Sequence, residues 1–134
     1  MGVRHDLEVN FDYEVVDEFL DHYSIMVDTM EPLVVGLANK ELYSQNINEL
    51  FRISHNIKSA SAFLNIKIMN RFSIMVEDTL EFLRLCDGPA SDEIISWLLL
   101  CHDQFARWNK NLEEDEKFDK INFKLMNIPE AENI

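Results

Sequence analysis

Glycine and proline are scarce in this chain, three of each in 134 residues. So few breakers leave little material for the tight turns of a sheet protein. With abundant Leu, Ile, Met, Glu and Asp, they favour long helices. There are only two cysteines, Cys86 and Cys101. They are too few and too far apart for a disulfide framework or a zinc site. Reduced thiols packed between the helices of a cytoplasmic protein are expected instead. Basic residues are also short: 12 Lys and Arg stand against 25 Asp and Glu, for a formal net charge of −13. Nucleic acid and anionic membrane both require a basic face, so neither is an expected partner. The longest apolar run, residues 94–101, is broken by Ser96 and is far too short to span a bilayer. Residues 1–10 carry Arg4, His5, Asp6 and Glu8 and no apolar core, unlike a signal peptide.

What is present suffices for one domain of ordinary size, since 47% of the residues are hydrophobic. Residues 1–10 are expected to be a flexible tail. Over residues 11–37, Val15, Val16, Phe19, Leu20, Tyr23, Met26, Val27, Met30, Leu33, Val34 and Leu37 recur with helical periodicity. Pro32 interrupts this run, so a kink or a junction of two helices is expected near residues 30–31. That junction would supply an additional helix ahead of the bundle. Asp17, Glu18, Asp21 and Asp28 look like a solvated face of this run. Ser44 is a candidate N-cap for the next helix. That helix should end at Asn65, which tolerates the left-handed closing conformation. A further helix is expected over residues 67–86, burying Ile68, Phe72, Met75, Thr79, Leu83 and Cys86. Asp87-Gly88-Pro89 is a stop signal. Ser91 then opens a last long helix that buries Ile94, Trp97, Leu98, Cys101, Phe105 and Trp108. Residues 113–134 form an acidic extension whose Ile121, Phe123, Leu125, Met126 and Ile128 are apolar enough to dock. The expected fold is all-α: an antiparallel four-helix bundle over residues 11–112, with an additional N-terminal helix and a short C-terminal segment.

One stretch stands out, residues 50–64. Ile47, Leu50, Ser54, Ile57, Ser61 and Leu64 recur at alternating steps of three and four and should line the buried side of a helix. His55 lies roughly 130° from the centre of that stripe at about 100° per residue. It should therefore face solvent, with Arg52, Ser59 and Ala62 on its side and Lys58 flanking it. A neutral imidazole is a capable nucleophile near neutral pH. A lysine one turn away offers a mobile charge for phosphate oxygens. Small residues at 59 and 62 let another protein surface come close. This set suits phosphoryl transfer to and from the imidazole. His5, His22 and His102 have no partner at ligand spacing, so no metal site is expected.

The run His55-Asn56-Ile57-Lys58-Ser59-Ala60-Ser61-Ala62, with Leu50-Phe51-Arg52 before it, resembles a known signature. It is the H-x-(L/I)-K-G-x-(S/A)-(A/G) pattern of histidine-containing phosphotransfer (HPt) domains. That family includes stand-alone phosphorelay proteins and the N-terminal domain of chemotaxis histidine kinases. The resemblance covers about residues 12–112, and its specific part is the stretch around His55. It implies a four-helix bundle with His55 as phosphoacceptor, Lys58 as the family's lysine, and Glu77 on the following helix as hydrogen-bond partner of the second ring nitrogen. At 1.5 Å per residue, about ten residues from His55 to the bend and about twelve back to Glu77 bring the two to nearly the same height of an antiparallel hairpin. Arg52, Ser59 and Ala62 would contact the partner. Phe63 and Ile66 point away from the core stripe toward the His55 side, where they would either form an apolar patch for the partner or pack against the first helix. The chain departs from the family at Ser59 and Asn65, where glycine is usual or frequent, and at Ile74, which replaces a second polar residue.

The resemblance implies a cytoplasmic, monomeric phosphorelay intermediate exchanging phosphate with a response-regulator receiver domain or a histidine kinase. No cofactor is expected, and without a nucleotide loop the chain cannot draw phosphate from ATP by itself. The alternative is an adaptor that keeps the fold and binds receivers without chemistry.

Overall fold

A computed structural model describes residues 2–130. Among the described residues there are five α-helices: α1 (Val3–Asn10), α2 (Tyr13–Val35), α3 (Lys40–Phe63), α4 (Lys67–Leu83) and α5 (Asp92–Glu113). Short 3-10 turns follow α2 (Gly36–Ala38) and close the C-terminal segment (Phe123–Met126). No strand occurs among the described residues. The all-α bundle is therefore as the composition implies.

Each long helix forms because its apolar residues fall on one side. On α3, Ile47, Leu50, Ser54, Ile57, Ser61 and Leu64 are all buried, as their spacing requires. On α5 the expected stripe of Ile94, Trp97, Leu98, Cys101, Phe105 and Trp108 is buried too, and Ser91 caps the helix by accepting from the Ile94 amide at 3.2 Å. Phe72 of α4 meets Phe105 at 4.9 Å and Trp108 at 5.4 Å, joining α4 to α5. Tyr23 of α2 donates its hydroxyl to the Phe105 carbonyl at 2.6 Å. Neighbouring helices run antiparallel: residues 23 and 31 of α2 lie against 105 and 102 of α5, while 48 and 55 of α3 lie against 84 and 77 of α4.

Several expectations need correction. Residues 3–10 are helical, not a tail. Leu7 is buried, and the α1 amides of Val3 and His5 bond to the Glu116 carbonyl and the Asp115 carboxylate, at 2.9 and 3.0 Å. The additional N-terminal helix is thus α1, and α2 runs unbroken through Pro32. That proline sits exposed in the last helical turn, where its missing N–H removes a single bond. Helix α3 starts at Lys40, capped by Asn39, which accepts from the Glu41 amide at 2.9 Å, so Ser44 is inside the helix. Helix α4 buries Met69, Phe72, Ser73, Val76, Leu80 and Leu83. Ile68, Met75, Thr79 and Cys86 are only half-buried. In the C-terminal segment Leu125 is fully buried while Phe123, Met126 and Ile128 stay exposed. The Trp97 indole holds the segment by donating to the Leu125 carbonyl at 2.9 Å.

Turns are set by local chemistry. Asn65 takes a φ of 59° between α3 and α4. Gly88 has a φ of 73°, and a Cβ there would run into the Tyr43 ring. That ring is held in place by a hydroxyl bond to the Leu83 carbonyl at 2.8 Å.

Ile57 lies on the α3 stripe and is fully buried. Ile57→Ala is expected to lower unfolding stability by about 2–5 kcal/mol, measured as a shift of the urea midpoint at constant slope.

Candidate functional site

His55 follows the buried Ser54 on α3 and therefore turns outward, with 53% of its side chain exposed. The turn at Asn65 folds α4 back along α3. Glu77 is thereby brought beside it: Glu77 Oε2 lies 3.1 Å from His55 Nδ1. The second carboxylate oxygen accepts from Lys58 Nζ at 2.8 Å. Glu77 is mostly covered, with 14% of its side chain exposed, and Lys58 is intermediate. Burial pushes the Glu77 carboxyl up. The hydrogen bonds and charges of Lys58 and His55 more than reverse this, holding it below its ordinary value of 4.5.

An ionised carboxylate only accepts hydrogen bonds. Its contact with Nδ1 therefore requires the hydrogen on Nδ1, and the lone pair falls to Nε2. Among the described residues Nε2 makes no hydrogen bond. Two further contacts fix the surroundings. The Phe51 ring stacks on His55, centroids 6.3 Å apart and planes 16° from parallel. Asn70 Nδ2 of α4 donates to the Lys58 carbonyl at 2.9 Å.

The other singled-out residues are placed as follows. Arg52 is exposed and paired with Glu49 at 2.9 Å. Ser59 and Ala62 are exposed on α3. Phe63 is exposed, its ring 5.9 Å from that of Phe11. Ile66 does not belong to this surface. It is buried at the start of α4, because the left-handed Asn65 breaks the helical phase that would have carried it to the His55 side. A groove of about 520 Å³ opens between α2 and α3, lined among others by Val15, Ile25, Asn56, Ser59 and Phe63. Sequence reasoning did not assign Val15 and Ile25 to a surface groove, nor give Phe51, Asn70 and Arg84 a role. The spacing of Phe51 four residues before His55 was the available signal.

Among the described residues no group of His, Cys, Asp and Glu could hold a metal ion, and no helix is long and apolar enough to cross a membrane.

A helical bundle that presents a carboxylate-held histidine on its outer face defines the class, and sequence comparison supports an HPt-like family for this chain. The chain is 27% identical over 86 residues to the chemotaxis protein CheA of Borreliella burgdorferi, and 30% identical over 86 residues to the sensor histidine kinase CheAY of Helicobacter pylori. Each match takes in 64% of this chain but only 10% and 11% of the relative, so the chain spans about a tenth of the length of these curated relatives. No family model and no solved structure matches it.

Because the Glu77 carboxyl is held low, its contribution to stability is complete above its ordinary value of 4.5 and is lost as pH falls through the lowered value. The melting-temperature gap between the unmodified protein and Glu77→Gln is therefore expected to be largest near neutral pH. It should close as the pH is taken below about 4.5 in a pH series of thermal melts.

Proposed function

We propose that this chain is a phosphorelay intermediate that accepts and donates a phosphoryl group on Nε2 of His55. The observation carrying the reading is the pairing of an exposed imidazole with an ionised Glu77 at Nδ1, which leaves the outward nitrogen with its lone pair. Similarity to two chemotaxis kinases supports a phosphotransfer role in chemotaxis two-component signalling.

In the forward step, Nε2 attacks the phosphorus of a donor acyl phosphate on a receiver domain, or of a nucleotide on a kinase domain. An N–P bond forms as the P–O bond breaks, and the bonding pair leaves with the donor's carboxylate or diphosphate oxygen. Nδ1 keeps its hydrogen, so the phosphorylated ring is cationic and the Glu77 carboxylate balances it. No proton has to leave. The Lys58 ammonium, already beside Glu77 at 2.8 Å, screens the negative phosphoryl oxygens. The reverse step returns the group to a receiver carboxylate. Ser59, Ala62 and Phe63, with Arg52 at the margin and the α2–α3 groove beside them, form the surface that meets the partner. The chain acts as a cytoplasmic monomer in this reading, and binds neither nucleic acid nor membrane.

Incubation with phosphorylated receivers, followed by mass spectrometry under alkaline handling, tests it. Label is expected on His55 and absent from His55→Gln, with far-UV helicity unchanged. Label persisting on that variant would move the site elsewhere. Receiver binding without any label would favour the adaptor reading that Ser59, in place of a family glycine, motivates. Glu77→Ala is expected to slow labelling about 10- to 100-fold, because the ring loses its tautomer and its counter-charge together; a quenched time course measures this.

A further inference from the structure

Two turns away from the His55–Glu77 contact, the same pair of helices makes a second one. Asn48 lies seven residues before His55 and Arg84 seven after Glu77, and Arg84 Nε donates to Asn48 Oδ1 at 3.1 Å. Arg84 also pairs with Glu81 at 3.1 Å. Its guanidinium is thereby set over the Phe51 ring, with Cζ 4.5 Å from the centroid. Phe51 in turn stacks against His55, 6.3 Å between centroids and 16° between planes. These groups make a column from α4 to the histidine: guanidinium, phenyl, imidazole.

The column supplies what Glu77 alone does not. One hydrogen bond to Nδ1 tethers one edge of the ring but leaves it free to tilt about that bond. A phenyl face lying nearly parallel to the imidazole opposes the tilt. The phenyl is half-buried, packed against the core on one side and open on the other, so its outer side is restrained only by what lies over it. Arg84, fixed at two points and attracted to the ring face, supplies that restraint.

We propose that Phe51 and Arg84 are positioning residues that fix the imidazole plane of His55, so that Nε2 faces the incoming partner in one orientation. The inference rests on the phosphotransfer reading for its consequence, though the tautomer that depends on the ring's alignment with Glu77 is measurable without it. Losing the column broadens the approach geometry, and small misplacements of a reacting atom lower transfer rates substantially.

The test has two readouts on the full chain. Long-range proton–nitrogen correlation spectra report the tautomer of His55. Phosphoramidate, a small donor that needs no docking surface, and a phosphorylated receiver report its reactivity. In the unmodified protein His55 is expected to be chiefly the Nδ1–H tautomer. Phe51→Leu, which keeps apolar bulk, and Arg84→Gln are expected to move the population toward the Nε2–H form. Both should slow labelling by about 3- to 10-fold from either donor. Arg84→Lys, which keeps a cation for the phenyl face, should restore most of both. Arg107→Gln, removing another surface arginine that is paired with Asp119 at 3.0 Å, should change neither.

A tautomer population and labelling rate unchanged in Phe51→Leu and Arg84→Gln would overturn the positioning role. So would equal losses in Arg84→Gln and Arg84→Lys, because the cation would then be irrelevant. Absence of label on His55 in the unmodified protein would instead sink the phosphotransfer reading, with the spectra still deciding the column.

Discussion

The register of α3 on α4 is the constraint from which the rest of the site follows. Ser54 and Ser61 on α3 and Ser73 on α4 are fully buried, and small side chains at such positions permit a close approach of packed helices. Ser61 satisfies its hydroxyl by bonding back to the Ile57 carbonyl at 2.7 Å. Ser54 and Ser73 have no hydrogen-bond partner among the described residues. A buried hydroxyl left unpaired costs about 1–3 kcal/mol. A larger apolar side chain there would remove the cost and push the helices apart, and a contact of 3.1 Å between His55 and Glu77 does not survive such a shift. The close seam and the paired side chains along its edge are two aspects of one packing solution.

Charge is distributed in a way that the net value of −13 conceals. Helix α2 carries Glu14, Asp17, Glu18, Asp21, Asp28 and Glu31 and no lysine or arginine. The cations Arg52, Lys58 and Arg84 lie along the α3–α4 edge, each paired with a carboxylate: Glu49, Glu77 and Glu81. Of these, the exposed Arg52–Glu49 and Arg84–Glu81 pairs contribute little to stability. Their effect is geometric: each holds a long side chain in one place. Lys58 is the telling case, since its pairing keeps Glu77 ionised and keeps an ammonium next to the imidazole at the same time.

The sequence made some of this legible. The α3 stripe could be read because its buried positions keep to one row, so the outward direction of His55 followed. Glu77 was pointed to by the family resemblance, and helix rise in an antiparallel hairpin set it at the height of His55. The face of α4 was read wrongly, yet the height of Glu77 along it was unaffected. That misreading has a physical origin. Helix α4 has apolar residues on two adjacent rows, Ile68, Met75 and Thr79 on one and Met69, Val76 and Leu80 on the other, sharing Phe72 and Leu83. The buried row also contains Ser73, a polar residue that the seam demands and that disguises it. Ile66 was misplaced by carrying helical phase through a turn that Asn65 resets. Helix α1 was hidden because only Leu7 on it is buried, Val3 being half-buried and Val9 exposed among polar residues. Its N-terminal end is fixed by Asp115 and Glu116, which lie more than a hundred residues away and which no local pattern connects to it.

Openness is itself informative about what such a histidine can do. A group buried in a pocket is served by one fixed set of neighbours. A carrier has to offer the same nitrogen to a donor and then to an acceptor, each bringing its own catalytic groups, so its own contribution is confined to the side of the ring away from the partner. That is the arrangement around His55: the carboxylate at Nδ1, the Phe51 ring stacked nearly parallel to it, and an α2–α3 groove lined by the neighbouring Asn56 and Ser59 rather than by the ring itself. The helix supplies the rigidity that a loop would not. The backbone around His55 is anchored by the buried Ser54 and Ile57, so the point from which the ring extends moves only as far as the bundle moves. Under the proposed transfer the difficult part of the chemistry belongs to the partner, and the bundle has to supply position, tautomer and counter-charge.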